Sequence, residues 1–245
     1  MNFAVNIAET NAETMGVRKC QTFCANFKNN YDNEDLSNLD IKIAQTDAEK
    51  MEIYKLRYRV YVQEMQVPLA ADHVQKIIKD KCDENAILFH VQTVDRAIAT
   101  VRVNLKKHGE LDLEDLYGLE KFKPFYPDCI STTSRFVIEE PYRDLSFSKK
   151  IAKAMYRFGL ANGIAFNFIT VCEDTYSFYK RLGYRSYMEN FEDPEWGKSF
   201  PLVLALHDYR YLAKIKSPFL KDATMNFAKQ RALDKFFEAS EIILY

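Results

Sequence analysis

The residues best suited to chemistry lie where one strand runs into a helix, within residues 129–189. Cys129–Glu139 is an apolar-rich run, and the turn Glu140-Pro141-Tyr142-Arg143-Asp144-Leu145-Ser146-Phe147-Ser148 follows it. A helix that starts straight after a strand leaves its first backbone N–H groups unpaired. Those donors and the helix dipole make an anion site, usually for phosphate. Ser146 and Ser148 are small enough to let a pyrophosphate approach the backbone. Arg143 adds charge and a planar hydrogen-bonding fork.

The elements that must position this turn follow from periodicity. A helix is expected from Lys149 to Asn162, stopped by Gly163 and capped by Ser146 or Ser148. Ile151, Ala154, Met155 and Phe158 share one face of it, and Lys150, Lys153 and Arg157 another. Ile164–Val171 reads as a strand, Tyr176–Tyr184 as a short helix and Arg185–Glu189 as a last strand. Upstream, Ile41–Ala44 reads as a strand. Thr46 and Glu49 form a capping box that opens a helix to about Met65. Tyr54, Tyr58, Tyr61 and Val62 lie on its apolar stripe, which Arg57 and Arg59 interrupt. Ala86–Val94 and Ala97–Leu105 read as a hairpin turning at Asp95-Arg96. Downstream come a loop over Asn190–Lys198 with the single Trp, a strand Ser199–Leu206, a helix His207–Ile215 and a last helix from Asp222 to Ser240. That last helix carries Met225, Ala228, Ala232 and Phe236 on its apolar face. The division expected is an extension over residues 1–39 with a helix through Met15–Phe27, a main domain over 40–210 and a helical extension over 211–245.

The turn Arg143-x-x-Ser146-x-Ser148 resembles the acyl-CoA phosphate loop of the GCN5-related N-acyltransferases, Gln/Arg-x-x-Gly-x-Gly/Ala, with serine at both glycine positions. Tyr179-Lys180-Arg181-Leu182-Gly183-Tyr184 is similar to that family's Tyr-x-Lys-x-Gly-Phe signature. Leu56-Arg57-Tyr58-Arg59-Val60-Tyr61 resembles the Leu-Arg-x-x-Val-Phe of acyl-homoserine-lactone (autoinducer) synthases and N-acyl amino acid synthases. Asp80-Lys81-Cys82-Asp83, Thr100-Val101-Arg102-Val103 and Ser134-Arg135-Phe136 are similar to further motifs of the same branch. Two positions depart from it. Val67 stands where autoinducer synthases carry a Trp, and Thr132 where they carry the Glu proposed as base.

The resemblance implies an α/β (α+β) fold with a mixed, mostly antiparallel central sheet flanked by helices. It implies transfer of a fatty acyl group, expected to be long, from acyl carrier protein or acyl-CoA to the amine of an amino acid or similar small molecule. A residue to accept the amine's proton, donors for the tetrahedral oxyanion and an acid for the thiolate are then needed. Tyr179 stands at the family's acid position; the other reading is a packed tyrosine with its hydroxyl bonded. The backbone of Phe136, Val137 and Ile138 would pair with the pantetheine arm as an added strand. Arg143, Ser146 and Ser148 would hold the phosphates. Arg57, Arg102 and Arg135 are brought toward one cleft, with Asp80 and Asp83 as charged partners; there they either hold an amino-acid acceptor or form an ordinary ion-pair network. Thr132 marks the catalytic position that lacks its Glu. A tunnel lined by Met155, Phe166 and Phe168 would signal a long chain. Lys149, Lys150, Lys153, Arg157, Lys180 and Arg181 form either a docking patch for an acidic carrier protein or a solvated helix face. Other readings are a short-chain acetyl-CoA-dependent enzyme, an acyl-homoserine-lactone synthase, and a non-catalytic module that binds an acyl group or carrier protein.

Composition narrows the classes. The chain has 245 residues and a net charge of −1, so nothing draws it as a whole to nucleic acid. No apolar stretch reaches the length of a signal peptide or a membrane span, and the expectation is a cytoplasmic protein. Five cysteines are widely spread, with no zinc-type pairing. Cys20-x-x-x-Cys24 reads either as a metal or redox pair or, more commonly for such spacing, as two reduced thiols, and no metal or permanently bound cofactor is expected.

Overall fold

The computed structural model describes residue 36, residues 39–240 and residues 242–245. Most of the extension expected over residues 1–39, its helix through Met15–Phe27 and the pair Cys20 and Cys24 lie outside the described residues.

Eight strands form one sheet among the described residues. They are β1 (Lys42–Ile43), β2 (Ile87–Gln92), β3 (Ala97–Leu105), β4 (Ile130–Ile138), β5 (Phe166–Cys172), β6 (Arg185–Ser186), β7 (Phe191–Asp193) and β8 (Gly197–Ala205). The order is β1-β2-β3-β4-β5-β8-β6, with β7 also paired to β8. Only β4 and β5 run parallel; the other pairs are antiparallel. The mixed, mostly antiparallel sheet flanked by helices is the architecture expected from the sequence.

Among the described residues five α-helices accompany it: α1 (Asp47–Tyr58), α2 (Leu145–Ala161), α3 (Glu173–Leu182), α4 (Tyr209–Lys214) and α5 (Phe227–Ala239). Helix α1 starts on the expected capping box, with Thr46 Oγ1 accepting from Glu49 N–H and Glu49 accepting from Thr46 N–H. The winding then loosens to a π-helix over Arg59–Glu64. Helix α2 crosses between the parallel strands and buries Phe147, Ile151 and Met155 against the sheet. Each such side chain contributes about 1.5–3 kcal/mol.

Three expectations need correction. Helix α2 begins four residues earlier than Lys149, and its cap is Asp144 rather than Ser146 or Ser148. Asn190–Lys198 is a hairpin rather than a loop: β7 pairs with the start of β8, and Asp193 Oδ1 accepts from the N–H groups of Glu195 and Trp196 to close the turn. Helix α5 docks through Gln230, Leu233 and Phe236, while Met225, Ala228 and Ala232 are exposed. Phe236 packs among Phe122, Phe125 and Phe166, edge-on to Phe125.

Candidate active site

The site is made by a failure of pairing in the middle of the sheet. β4 and β5 pair only over Ile130–Thr132 and Phe166–Phe168. Beyond that point no ladder joins them, and the space between becomes a cleft of about 230 Å³. Thr133, Ser134, Arg135 and Phe136 line one wall, and Ile169, Thr170, Val171 and Cys172 the other. A bulge widens it. The β3–β4 register shifts between Thr100 and Arg102, where Thr100 faces Val137 and Arg102 faces Ser134. Arg135 sits in the bulge with φ +53°, a left-handed conformation that costs a non-glycine residue about 1–3 kcal/mol. The backbone of β4 therefore presents an unpaired edge to the cleft, including Phe136. An extended ligand can hydrogen-bond to such an edge.

The π-helical stretch brings Tyr61 and Met65 to the same cleft. Trp196, on the β7–β8 turn, packs edge-on against Tyr61 with ring centroids 5.4 Å apart. Val67 belongs to the same cluster, so an indole reaches from another part of the chain the cluster where Val67 itself has none. Tyr179, from α3, lines the cleft and is buried, with its ring edge-on to Tyr184.

The expected arginines and aspartates form one buried network behind the Arg135 wall. Arg57 Nη1 donates to both oxygens of Asp83, at 2.9 and 2.8 Å, and neither side chain is exposed. Asp80 and Asp83 are fixed by a capping box of their own around a short 3₁₀ turn. Arg102 donates to Asp80, to Asp112 at 2.6 Å and to the Ser134 hydroxyl at 2.9 Å. Arg135 Nη2 donates to Asp80 Oδ2 at 3.1 Å. Burial alone would raise the Asp80 carboxyl, but Arg102 and Arg135 outweigh it and hold its pKa below the ordinary value. Burial likewise opposes the charge on Arg102, while Asp83, Asp112 and Asp80 prevail and raise its pKa. Three cations and three carboxylates thus neutralise one another. Of the three arginines, Arg135 alone is among the residues that line the cleft.

Other expected residues sit differently. Thr132 is buried, its hydroxyl has no hydrogen-bond partner among the described residues, and it does not line the cleft. Arg143 is also buried: its Nε donates to the Ile138 carbonyl at 3.0 Å and its Nη2 pairs with Glu64. The first amides of α2 are already engaged. Asp144 Oδ1 accepts from Ser146 N–H at 2.8 Å and from Phe147 N–H at 2.9 Å, and also from the Ser146 hydroxyl. The Ser148 hydroxyl donates to the Asp144 carbonyl at 2.8 Å. A phosphate can take those donors only by displacing a carboxylate. In the basic set, Arg157 pairs with Asp222, Lys150 donates to the Leu39 carbonyl, and Lys180 to the Tyr245 carbonyl.

Ser134, marked by the Ser-Arg-Phe motif, accepts from Arg102. The sequence reading missed three residues: Asp112 holds Arg102, and Asp193 and Glu195 line the cleft from the β7–β8 turn. Asp193-x-Glu195-Trp196 carried a usable signal, an aspartate placed to close a turn around the chain's single Trp. Cys82 and Cys129 are free thiols, and Cys172, on the cleft wall, is disulfide-bonded. Among the described residues no group of side chains could hold a metal ion.

Comparison with known proteins places this geometry. The family model described as N-acyl amino acid synthase FeeM matches residues 52–208. No curated protein matches the chain by sequence. Among solved structures, FeeM, an N-acyl amino acid synthase from uncultured soil microbes, is 13% identical with a TM-score of 0.58, over 72% of this chain and 96% of that one. The CoA-dependent acyl-homoserine lactone synthase BjaI, with SAM and isopentyl-CoA, is 14% identical with a TM-score of 0.58, over 74% and 91%. The acyl-homoserine-lactone synthase LasI is 15% identical with a TM-score of 0.55, over 69% and 90%.

Proposed function

Because this chain belongs to the N-acyl amino acid synthase FeeM family, and is thus an N-acyltransferase, we propose that it moves a fatty acyl group from a carrier-protein or CoA thioester to the amine of an amino acid or similar small molecule. One observation carries this reading: the cleft opened by the β4 bulge, with an unpaired strand edge, Arg135 and Tyr179 on its walls. The thioester arm lies along β4, and its carbonyl meets N–H donors freed by the bulge, which stabilise the oxyanion. The Tyr179 hydroxyl stands ready to protonate the departing thiolate. Arg135, held by Asp80, presents positive charge where an acceptor carboxylate binds. CoA as donor is consistent with the similarity to BjaI, a CoA-dependent synthase bound to isopentyl-CoA.

Mixing the protein with an octanoyl thioester, on acyl carrier protein or on CoA, and a panel of amino acids tests this. Thiol release and an N-acyl product seen by mass spectrometry are expected. No thiol release from either donor with any amine would leave a binding module in its place.

A specific observation favours a second reading, a short acyl group. Phe166 and Phe168 pack in the aromatic cluster with Phe122, and Met155 packs between α2 and the sheet; none of the three lines the cleft. The tunnel expected for a long chain is therefore not built from them. Comparing acetyl, octanoyl and palmitoyl thioesters decides between the two.

A further inference from the structure

We propose that Glu195 is the residue that takes the proton from the acceptor amine. This rests on the acyl-transfer reading above and supplies what that reading lacks, because Thr132 has no carboxylate and does not reach the cleft.

Three carboxylates line the cleft: Asp112, Asp193 and Glu195. Two are committed. Asp112 receives Arg102 at 2.6 Å, and Asp193 accepts the N–H groups of Glu195 and Trp196 at 2.8 and 2.9 Å. The Glu195 carboxylate accepts no hydrogen bond from a described residue, and it stands at the rim, where an amine enters. Its position is set by the turn beneath it and by Trp196, whose ring rests on Tyr61. The groups that face it are Arg135 from β4, Asp193 from its own hairpin and Asp112 from the segment before β4. Burial raises its pKa first; Arg135 opposes this, and Asp193 and Asp112 add to it. The net result is a carboxylate more basic than an ordinary glutamate, which favours its taking the proton.

The protons balance. The acceptor arrives as an ammonium ion and gives one proton to Glu195. The freed lone pair forms the C–N bond at the thioester carbonyl, and the C–S bond breaks with its electrons leaving on sulfur. A second proton passes from nitrogen to the thiolate, directly or through Tyr179. The proton on Glu195 goes to water, which leaves an amide with one N–H and a free thiol.

The test is Glu195→Gln, assayed by thiol release from an octanoyl thioester with the amino-acid panel and, separately, with hydroxylamine, which is already neutral at the assay pH. With amino acids kcat is expected to fall by about 10²- to 10⁴-fold with KM little changed, and the acidic limb of the pH–rate profile to disappear. With hydroxylamine the loss is expected to be at least tenfold smaller. Full activity of Glu195→Gln with amino acids, or an equal loss with both kinds of amine, overturns the inference and leaves the transferase reading standing. A wild type that releases no thiol with any amine overturns both.

Discussion

Arg135 and Asp80 meet at 3.1 Å on the inner wall of the cleft, and the other carboxylate oxygen of Asp80 serves Arg102. One aspartate thus couples the arginine that faces the ligand to an arginine that has no exposure at all. The two arginines cannot be perturbed independently.

Replacing Arg135 by Ala is expected to abolish transfer while leaving the protein folded, because its side chain lies on the wall of a cavity. Arg135→Lys keeps the charge but loses the planar fork, so it should recover only part of the activity. Circular dichroism alongside the thiol assay separates loss of function from loss of fold. Full activity of Arg135→Ala would defeat its role.

The Arg57–Asp83 pair makes a prediction about stability rather than rate. Arg57→Met alone leaves a carboxylate buried without its partner and should cost about 3–5 kcal/mol. Removing both charges, as Arg57→Met with Asp83→Leu, should cost less than the single change. Urea denaturation measures this; equal losses would mean that the pair is not the reason these residues are buried.

Acid should weaken the same network. The Asp80 pKa is depressed in the folded protein, so its contribution is fully present above the unfolded value of about 3.9. The contribution is lost as pH falls through the lower, folded value. Asp80→Asn should therefore lower stability at neutral pH and flatten its decline in acid. Melting temperatures across pH 2–7 give the comparison, and parallel curves for variant and wild type would refute it.

At the start of α2, Asp144→Ser should cost at most about 1 kcal/mol, since serine also caps helices. It would also remove a carboxylate from the amides of Ser146 and Phe147. KM for an octanoyl-CoA thioester is expected to fall several-fold, because phosphate can then reach those donors. An unchanged KM would mean that the phosphates bind elsewhere.

For Tyr179→Phe, thiol release is expected to slow by about 10²-fold or more. A rate unchanged across pH would take this hydroxyl out of the mechanism and leave it a packing role beside Tyr184.

Local pattern made much of the fold legible. Thr46 and Glu49 announced α1 because a capping box is written within four residues, and Asp95-Arg96 marked the β2–β3 turn. The strand–helix–strand core was readable because its apolar periods are clean. What stayed hidden depends on competition between neighbours. Ser146, Ser148 and Asp144 are all able caps, and only the backbone path selects Asp144. On α5 the expected stripe holds at Phe236 alone: Met225, Ala228 and Ala232 are too small or too far from the core to compete, and the aromatic cluster around Phe122 selects Leu233 beside Phe236. Glu195 was invisible because a hairpin of three-residue register brings it to the cleft, and no periodicity survives over so short a span.

The joint between β4 and β5 is only three residues long. The sheet therefore behaves as two antiparallel leaves hinged on a brief common spine. A guest entering from the open side has no ladder to unzip, so admission requires no local unfolding. Its backbone hydrogen bonds would tie one leaf to whatever it carries to the other, and occupancy should appear as slower amide exchange along the facing margins of both.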